Sequence, residues 1–214
     1  MTELIVRSIY KRYDKQMKRM GSLDVGGSHH LTCQSMVNIF TIIQDLYKLE
    51  DIKTMDVGAG AGYFVFLSHQ LGAQSFGIEY ENQHMLLIPH ELYNLNIPYK
   101  FINTDFSKTY IQHYTSYDII FLIIGKIQYI ISLFELFKNH SKMKAFVFLK
   151  PCKDFKTIWS NMKDYCNLHQ WIYYIVKVHI AVSHEQREII IIRKSTKVSF
   201  VDLSSPKKRV RFCI

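Results

Sequence analysis

Asp56, Gly58, Gly60 and Gly62 lie within seven consecutive residues, D-V-G-A-G-A-G, where the apolar segment I-K-T-M-D-V-G ends. Glu79 closes a second apolar segment, S-F-G-I-E-Y. Glycines lack a Cβ, so the backbone can turn sharply there and lie directly against a ligand. A helix that starts at such a turn offers amides with no partner of their own. A carboxylate at the loop entrance can tie down those amides or face a cation. A second one after the next strand is placed to accept hydrogen bonds from paired hydroxyls. This is equipment for holding a nucleoside against bare backbone. Cys33, Cys152, Cys166 and Cys213 are scattered without metal-ligand spacing, and His29, His30 and Cys33 lack a fourth ligand, so no metal site is expected.

Two ligands could use a glycine loop between a strand and a helix. A dinucleotide needs G-x-G-x-x-G with its pyrophosphate at the helix start. Here the third glycine comes one residue early, and Asp56 would repel phosphate. S-adenosylmethionine carries no phosphate and has a positive sulfonium and ammonium, which suit an acidic entrance. Its ribose hydroxyls suit Glu79.

The elements that must position these residues alternate along the chain. The segments I-K-T-M-D-V-G, S-F-G-I-E-Y, Y-K-F-I-N-T-D, Y-D-I-I-F-L-I-I-G and K-A-F-V-F-L-K-P read as strands with helical stretches between them. Q-W-I-Y-Y-I-V-K-V-H-I-A and R-E-I-I-I-I-R-K then read as an antiparallel hairpin. Thr32 can cap a helix from Cys33 to Lys48, with Met36, Ile39, Phe40, Ile43 and Leu46 on one face. The expected fold is α/β: a doubly wound, mostly parallel, Rossmann-like sheet of seven strands ending in a C-terminal antiparallel hairpin. Residues 1–23 read as a basic, solvated helical segment, 24–203 as the domain proper and 204–214 as a flexible basic tail.

The motifs carry a resemblance. D-V-G-A-G-A-G with Glu79 resembles motif I and the ribose acid of class I S-adenosylmethionine-dependent methyltransferases. N-T-D-F after the third strand matches the family's adenine-contacting position, with Asp105 as the acid and Phe106 beside it. F-L-I-I-G ends the fourth strand, where family members line the reacting methyl. The resemblance therefore implies a cofactor site of Asp56, Gly58, Ala59, Gly60, Gly62, Tyr63, Glu79, Tyr80, Asp105, Phe106 and Ile124.

For the methyl acceptor, the order of elements is similar to the Dot1 group of histone-lysine methyltransferases. Gly27-Ser28, Asp56 to Gly62, Glu79, Asp105-Phe106, Phe121 to Ile124 and Lys150-Pro151 occupy the corresponding positions, although Ile123-Ile124 stand where that group has an asparagine. The resemblance implies a protein lysine on a histone or chromatin-associated target, whose amine an apolar, aromatic channel would keep neutral; Tyr63 and Tyr129 are the first aromatics to inspect. RNA or DNA methylation is the alternative. The Asn/Asp-Pro-Pro-aromatic signature of amino methyltransferases is absent after strand four. Lys150 and Glu188 supply two of the four polar residues of ribose 2′-O enzymes, without the aspartate. A catalytically silent subunit that binds nucleic acid or a partner is the third reading, and no catalytic residue is assigned.

The 214 residues suit one domain, and 48% hydrophobic content with 14 Phe and 14 Tyr argues against disorder throughout. A net charge of +9 favours an acidic partner, chromatin or nucleic acid. Four cysteines in a chain of this size suggest a reducing compartment. No signal peptide or membrane span is read, so an intracellular location in nucleus or cytoplasm is expected. The tail S-S-P-K-K-R-V-R-F carries Pro206-Lys207-Lys208-Arg209, similar to a nuclear-localisation run. Its Lys208 to Phe212 resemble a docking peptide for protein phosphatase 1.

Overall fold

A computed structural model describes residues 1–20, 31–79, 116–123, 126–151, 154–181 and 184–194. Within them β1 (Lys53–Val57), β2 (Gln74–Ile78), β3 (Ile119–Leu122), β4 (Ala145–Leu149), β5 (Ile172–His179) and β6 (Gln186–Arg193) form one mixed sheet in the order β2-β1-β3-β4-β6-β5. The first four run parallel. β6 pairs antiparallel with both β4 and β5. Six strands are thus present among the described residues in place of the expected seven; the segment 99–105, expected as the other one, lies outside them. The organisation is Rossmann-like.

β3 (I-I-F-L) and β4 (A-F-V-F-L) are buried at every position. Helices cover both faces of the sheet, so these strands read as continuous apolar runs without alternation. Successive side chains then go to opposite layers. Ile119, Phe121, Val147, Ile189 and Ile191 pack with α1 (Thr2–Met20), α2 (Cys33–Leu46) and α3 (Tyr63–Gln70). Ile120, Leu122, Phe146, Phe148, Ile190 and Ile192 pack with α4 (Ile127–Asn139) and α5 (Lys156–Leu168).

Thr32 caps α2 as its position implies, its hydroxyl accepting the Ser35 N–H at 3.3 Å. Asp118, just before β3, gathers three strand starts. Its Oδ2 accepts the Lys53 N–H at 2.9 Å, and Oδ1 pairs with Lys144 Nζ at 2.9 Å.

The first helix differs from the solvated segment expected of it. Val6, Ile9 and Tyr13 are buried, while Lys11, Arg12 and Lys15 are exposed. Spacings of three and four put the apolar residues on one stripe, which packs into the core with α2 and α3. Lys11, Arg12 and Lys15 lie off that stripe.

Candidate functional site

β1 ends at Val57 and the chain turns through Gly58, Gly60 and Gly62, whose φ values are 72°, 54° and 75°. These lie in the left-handed region that side-chain-bearing residues avoid, so the local sequence must be glycine-rich to bend here. The loop is tied to the end of β2. The N–H groups of Gly58 and Ala59 both donate to the Ile78 carbonyl, at 2.8 and 2.9 Å, and the Gly60 N–H donates to Glu79 Oε2 at 2.8 Å. The acid that closes the second strand thus grips the middle of the loop. A Cβ added at Gly60 would meet nothing within 4 Å, so the space beyond the bend is open.

Asp56 and Glu79 are only 4% and 5% exposed. Burial, and then the neighbouring Glu79, push the Asp56 carboxyl up to about 8. Two buried acids beside an open bend are suited to a ligand that brings positive charge and hydroxyl donors. From β1 the sheet grows through β2 on one side and through β3 and β4 on the other. The loop therefore sits at the carboxyl end of the strand where the winding reverses, the general ligand position in such sheets.

No protein-family model and no curated protein matches the chain. Solved structures do resemble it. A Thermoplasma acidophilum protein shares 13% identity at a TM-score of 0.57, covering 90% of this chain and 99% of its own. An S-adenosylmethionine-dependent methyltransferase from Agrobacterium tumefaciens shares 10% at 0.55, covering 75% and 62%. A precorrin-6y C5,15-methyltransferase from Geobacter metallireducens shares 14% at 0.52, covering 73% and 87%. The chain shares its fold with these proteins.

Of the residues expected in the site, the fold brings together Asp56, Gly58, Ala59, Gly60, Gly62 and Glu79. Tyr63 starts α3, and its ring is engaged by α1: it meets Tyr13 edge-on at 4.4 Å and Tyr10 at 6.1 Å. Tyr80, Asp105, Phe106 and Ile124 lie outside the described residues, as do His29 and His30. Tyr129 lies on α4 with Lys126 Nζ 5.6 Å from its ring centre.

Sequence reasoning missed Tyr13. Its buried hydroxyl donates to the Ala61 carbonyl at 2.8 Å, so the first helix braces the glycine loop directly. The signal was available in the Val6, Ile9, Tyr13 spacing, but the surrounding basic residues obscured it.

Further along the same sheet edge, Lys150 Nζ is ion-paired with Glu188, each side chain about one-third exposed. The Lys150 N–H donates to the Glu188 carbonyl at 2.8 Å, and Arg187 donates to the Lys150 carbonyl at 3.0 Å. The start of α2 is fixed there too, through Thr32 N–H to the His179 carbonyl at 2.8 Å and His179 N–H to Ser35 Oγ at 2.8 Å. Among the described residues no group of three His, Cys, Asp or Glu could hold a metal, and no helix is long and apolar enough to cross a membrane.

Proposed function

We propose that the chain is an S-adenosylmethionine-dependent methyltransferase. The carrying observation is the buried Asp56–Glu79 pair at a bend of three left-handed glycines. A pyrophosphate brought against that pair would meet acceptor oxygens, and negative charge on Asp56 once its carboxyl ionises near pH 8, whereas a sulfonium and an ammonium would be attracted. The open space above Gly60 is where such a ligand would lie, with Glu79 oriented by its bond to the loop to accept from the ribose hydroxyls. Tyr80, Asp105, Phe106 and Ile124 complete the cradle in this reading. The cofactor supplies an activated methyl on positive sulfur. What the chain supplies is alignment and exclusion of water around an in-line displacement.

For the acceptor, a protein lysine on a chromatin-associated target rests on the similarity to the Dot1 group. A second reading, RNA, is favoured by the Lys150–Glu188 pair at the same sheet edge and by the net charge of +9. A candidate RNA methyltransferase from Pyrococcus horikoshii is among the similar structures, at 15% identity and a TM-score of 0.52, covering 74% of this chain and 82% of its own. A nuclear location and phosphatase docking through Lys208 to Phe212 are proposals of the same standing.

Titration calorimetry with S-adenosylmethionine tests the site: heat of binding is expected for the wild type and none for Gly60→Arg. Radiolabelled methyl transfer into histones or RNA then separates the acceptors. Absence of binding would sink the cofactor reading; binding without transfer to either would favour the silent-subunit alternative.

A further inference from the structure

Strand β5 is an edge of the sheet, and among the described strands it pairs with β6 alone. The direction of its backbone groups follows from its last residue. The His179 carbonyl accepts the Thr32 N–H and the His179 N–H donates to Ser35 Oγ, each at 2.8 Å and away from β6. The next N–H, that of Ile180, turns the other way, to the Glu185 carbonyl at 3.0 Å. A strand residue sends its N–H and C=O to the same side, and successive residues alternate. Tyr174, Val176 and Val178 therefore bond β6, whereas Tyr173, Ile175 and Lys177 turn their backbone groups outward. Among the described residues nothing bonds to those outward groups. Thr32 closes the edge at one end, and the turn at Gln170, with φ 56°, closes it at the other.

Open edges are normally blunted by proline, by a bulge or by several charges. The sequence of β5, I-Y-Y-I-V-K-V-H, has no proline and is rich in Ile, Tyr and Val, the residues that favour strands. Its ladder with β6 runs unbroken from Ile172 to His179, so no bulge twists the edge away. Its one full charge is Lys177, which stands directly across that ladder from Glu188. Apolar surface is concentrated here as well. Ile172 and Ile175 are 41% and 45% exposed, and Leu168, just before the strand, is 78% exposed. These are three of the six exposed large hydrophobic residues among those described, so the edge is the place where the chain most lacks a cover.

We propose that two copies of this chain join by antiparallel pairing of their β5 edges about a two-fold axis at Ile175. The open stretch is symmetric about that residue. Ile175 then faces its own equivalent, and Tyr173 of each copy faces Lys177 of the other, each facing pair exchanging two backbone bonds. Every lysine lies against a tyrosine ring, and no two like charges meet. This self-complementarity selects a second copy over a foreign acidic strand. The chain carries +9, yet its edge offers such a strand a single lysine that already stands opposite an acid. Strand β5 runs in the same direction as the parallel strands, so the two-fold axis sends the two glycine loops to opposite rims of the joined sheet and covers neither. The pairing is therefore independent of methyl transfer and would hold for a silent subunit as well.

The test is sedimentation velocity of the full chain from about 2 to about 200 μM, with no methyl donor present, a range suited to a small interface. The weight-average mass should climb from one chain toward two. Ile175→Lys sets two ammonium groups face to face across the axis and should raise the dissociation constant about tenfold or more. Ile131→Lys on α4, where the isoleucine is 41% exposed, is the charge-matched control and should change it less than twofold. Both positions are exposed, so neither variant asks the core to adapt. Added salt should tighten the pair, because it screens the repulsion between two chains of +9. Amide exchange gives a second readout. Between the low and high ends of the concentration range it should slow at Tyr173, Ile175 and Lys177 and stay unchanged at Tyr174 and Val176, which β6 already holds. A chain that stays monomeric throughout, equal losses in the control, pairing that weakens with salt, or protection of the three outward amides at every concentration, which would place another segment on the edge, would overturn the proposal.

Discussion

Among the described side chains of the site, Asp56 carries the sharpest pH signature. Burial and the neighbouring Glu79 push its carboxyl up from the ordinary 3.8 to about 8, so between those values the folded chain binds the extra proton. Stability must then fall as pH rises from about 4 to about 8, and Asp56→Asn should remove that slope. Thermal melts of both proteins at pH 5, 6.5 and 8 check this; parallel pH profiles would refute it. The same titration bears on ligand binding. A positively charged ligand should bind more tightly at pH 8.5 than at pH 6.5 to the wild type, and about equally at both to the Asn variant, by calorimetry. Gly60 tests the bend itself. Its φ of 54° makes even Gly60→Ala costly, by about 1 kcal/mol, whereas Gly60→Arg also fills the open space and should abolish binding.

The described strands and most of the described helices were legible because burial on both faces writes itself into sequence. I-I-F-L and A-F-V-F-L can only be central strands once helices flank them. The glycine bend and its acid were legible for the same local reason: left-handed backbone requires glycine, and the acid sits one residue past a strand. Two things were not legible. Which strand lies beside which is a tertiary fact, so the sequence of β6 does not reveal that it inserts between β4 and β5. Helix α1 looked solvated because the buried Val6, Ile9 and Tyr13 are interspersed with Lys and Arg, and only the fold supplies the partner surface. Its role predicts a specific effect. Tyr13→Phe deletes the bond to the Ala61 carbonyl and should cost about 1 kcal/mol, lowering the melting temperature by roughly 2–4 °C. Amide exchange at 60–62 should accelerate more than exchange in β4. Uniform acceleration would mean that the hydroxyl has no special hold on the loop.

Across the whole molecule, stability and ligand binding are distributed differently. The sheet centre is the anchor. Phe146 is fully buried, 4.9 Å from Phe148 and 6.3 Å from Phe137 between ring centres, so Phe146→Ala should cost about 3–5 kcal/mol in denaturant unfolding. Ile175 on the edge strand β5 is 45% exposed, and its truncation should stay within about 0.5 kcal/mol. The acids and glycines of the candidate site sit instead at the rim where the parallel strands end. The brace from Tyr13 has one practical bearing. A shortened protein that begins at residue 31 would lose both a strip of core packing and the outside support of the bend, so a trimmed protein that fails to bind the cofactor would be no evidence against the proposed activity of the longer chain.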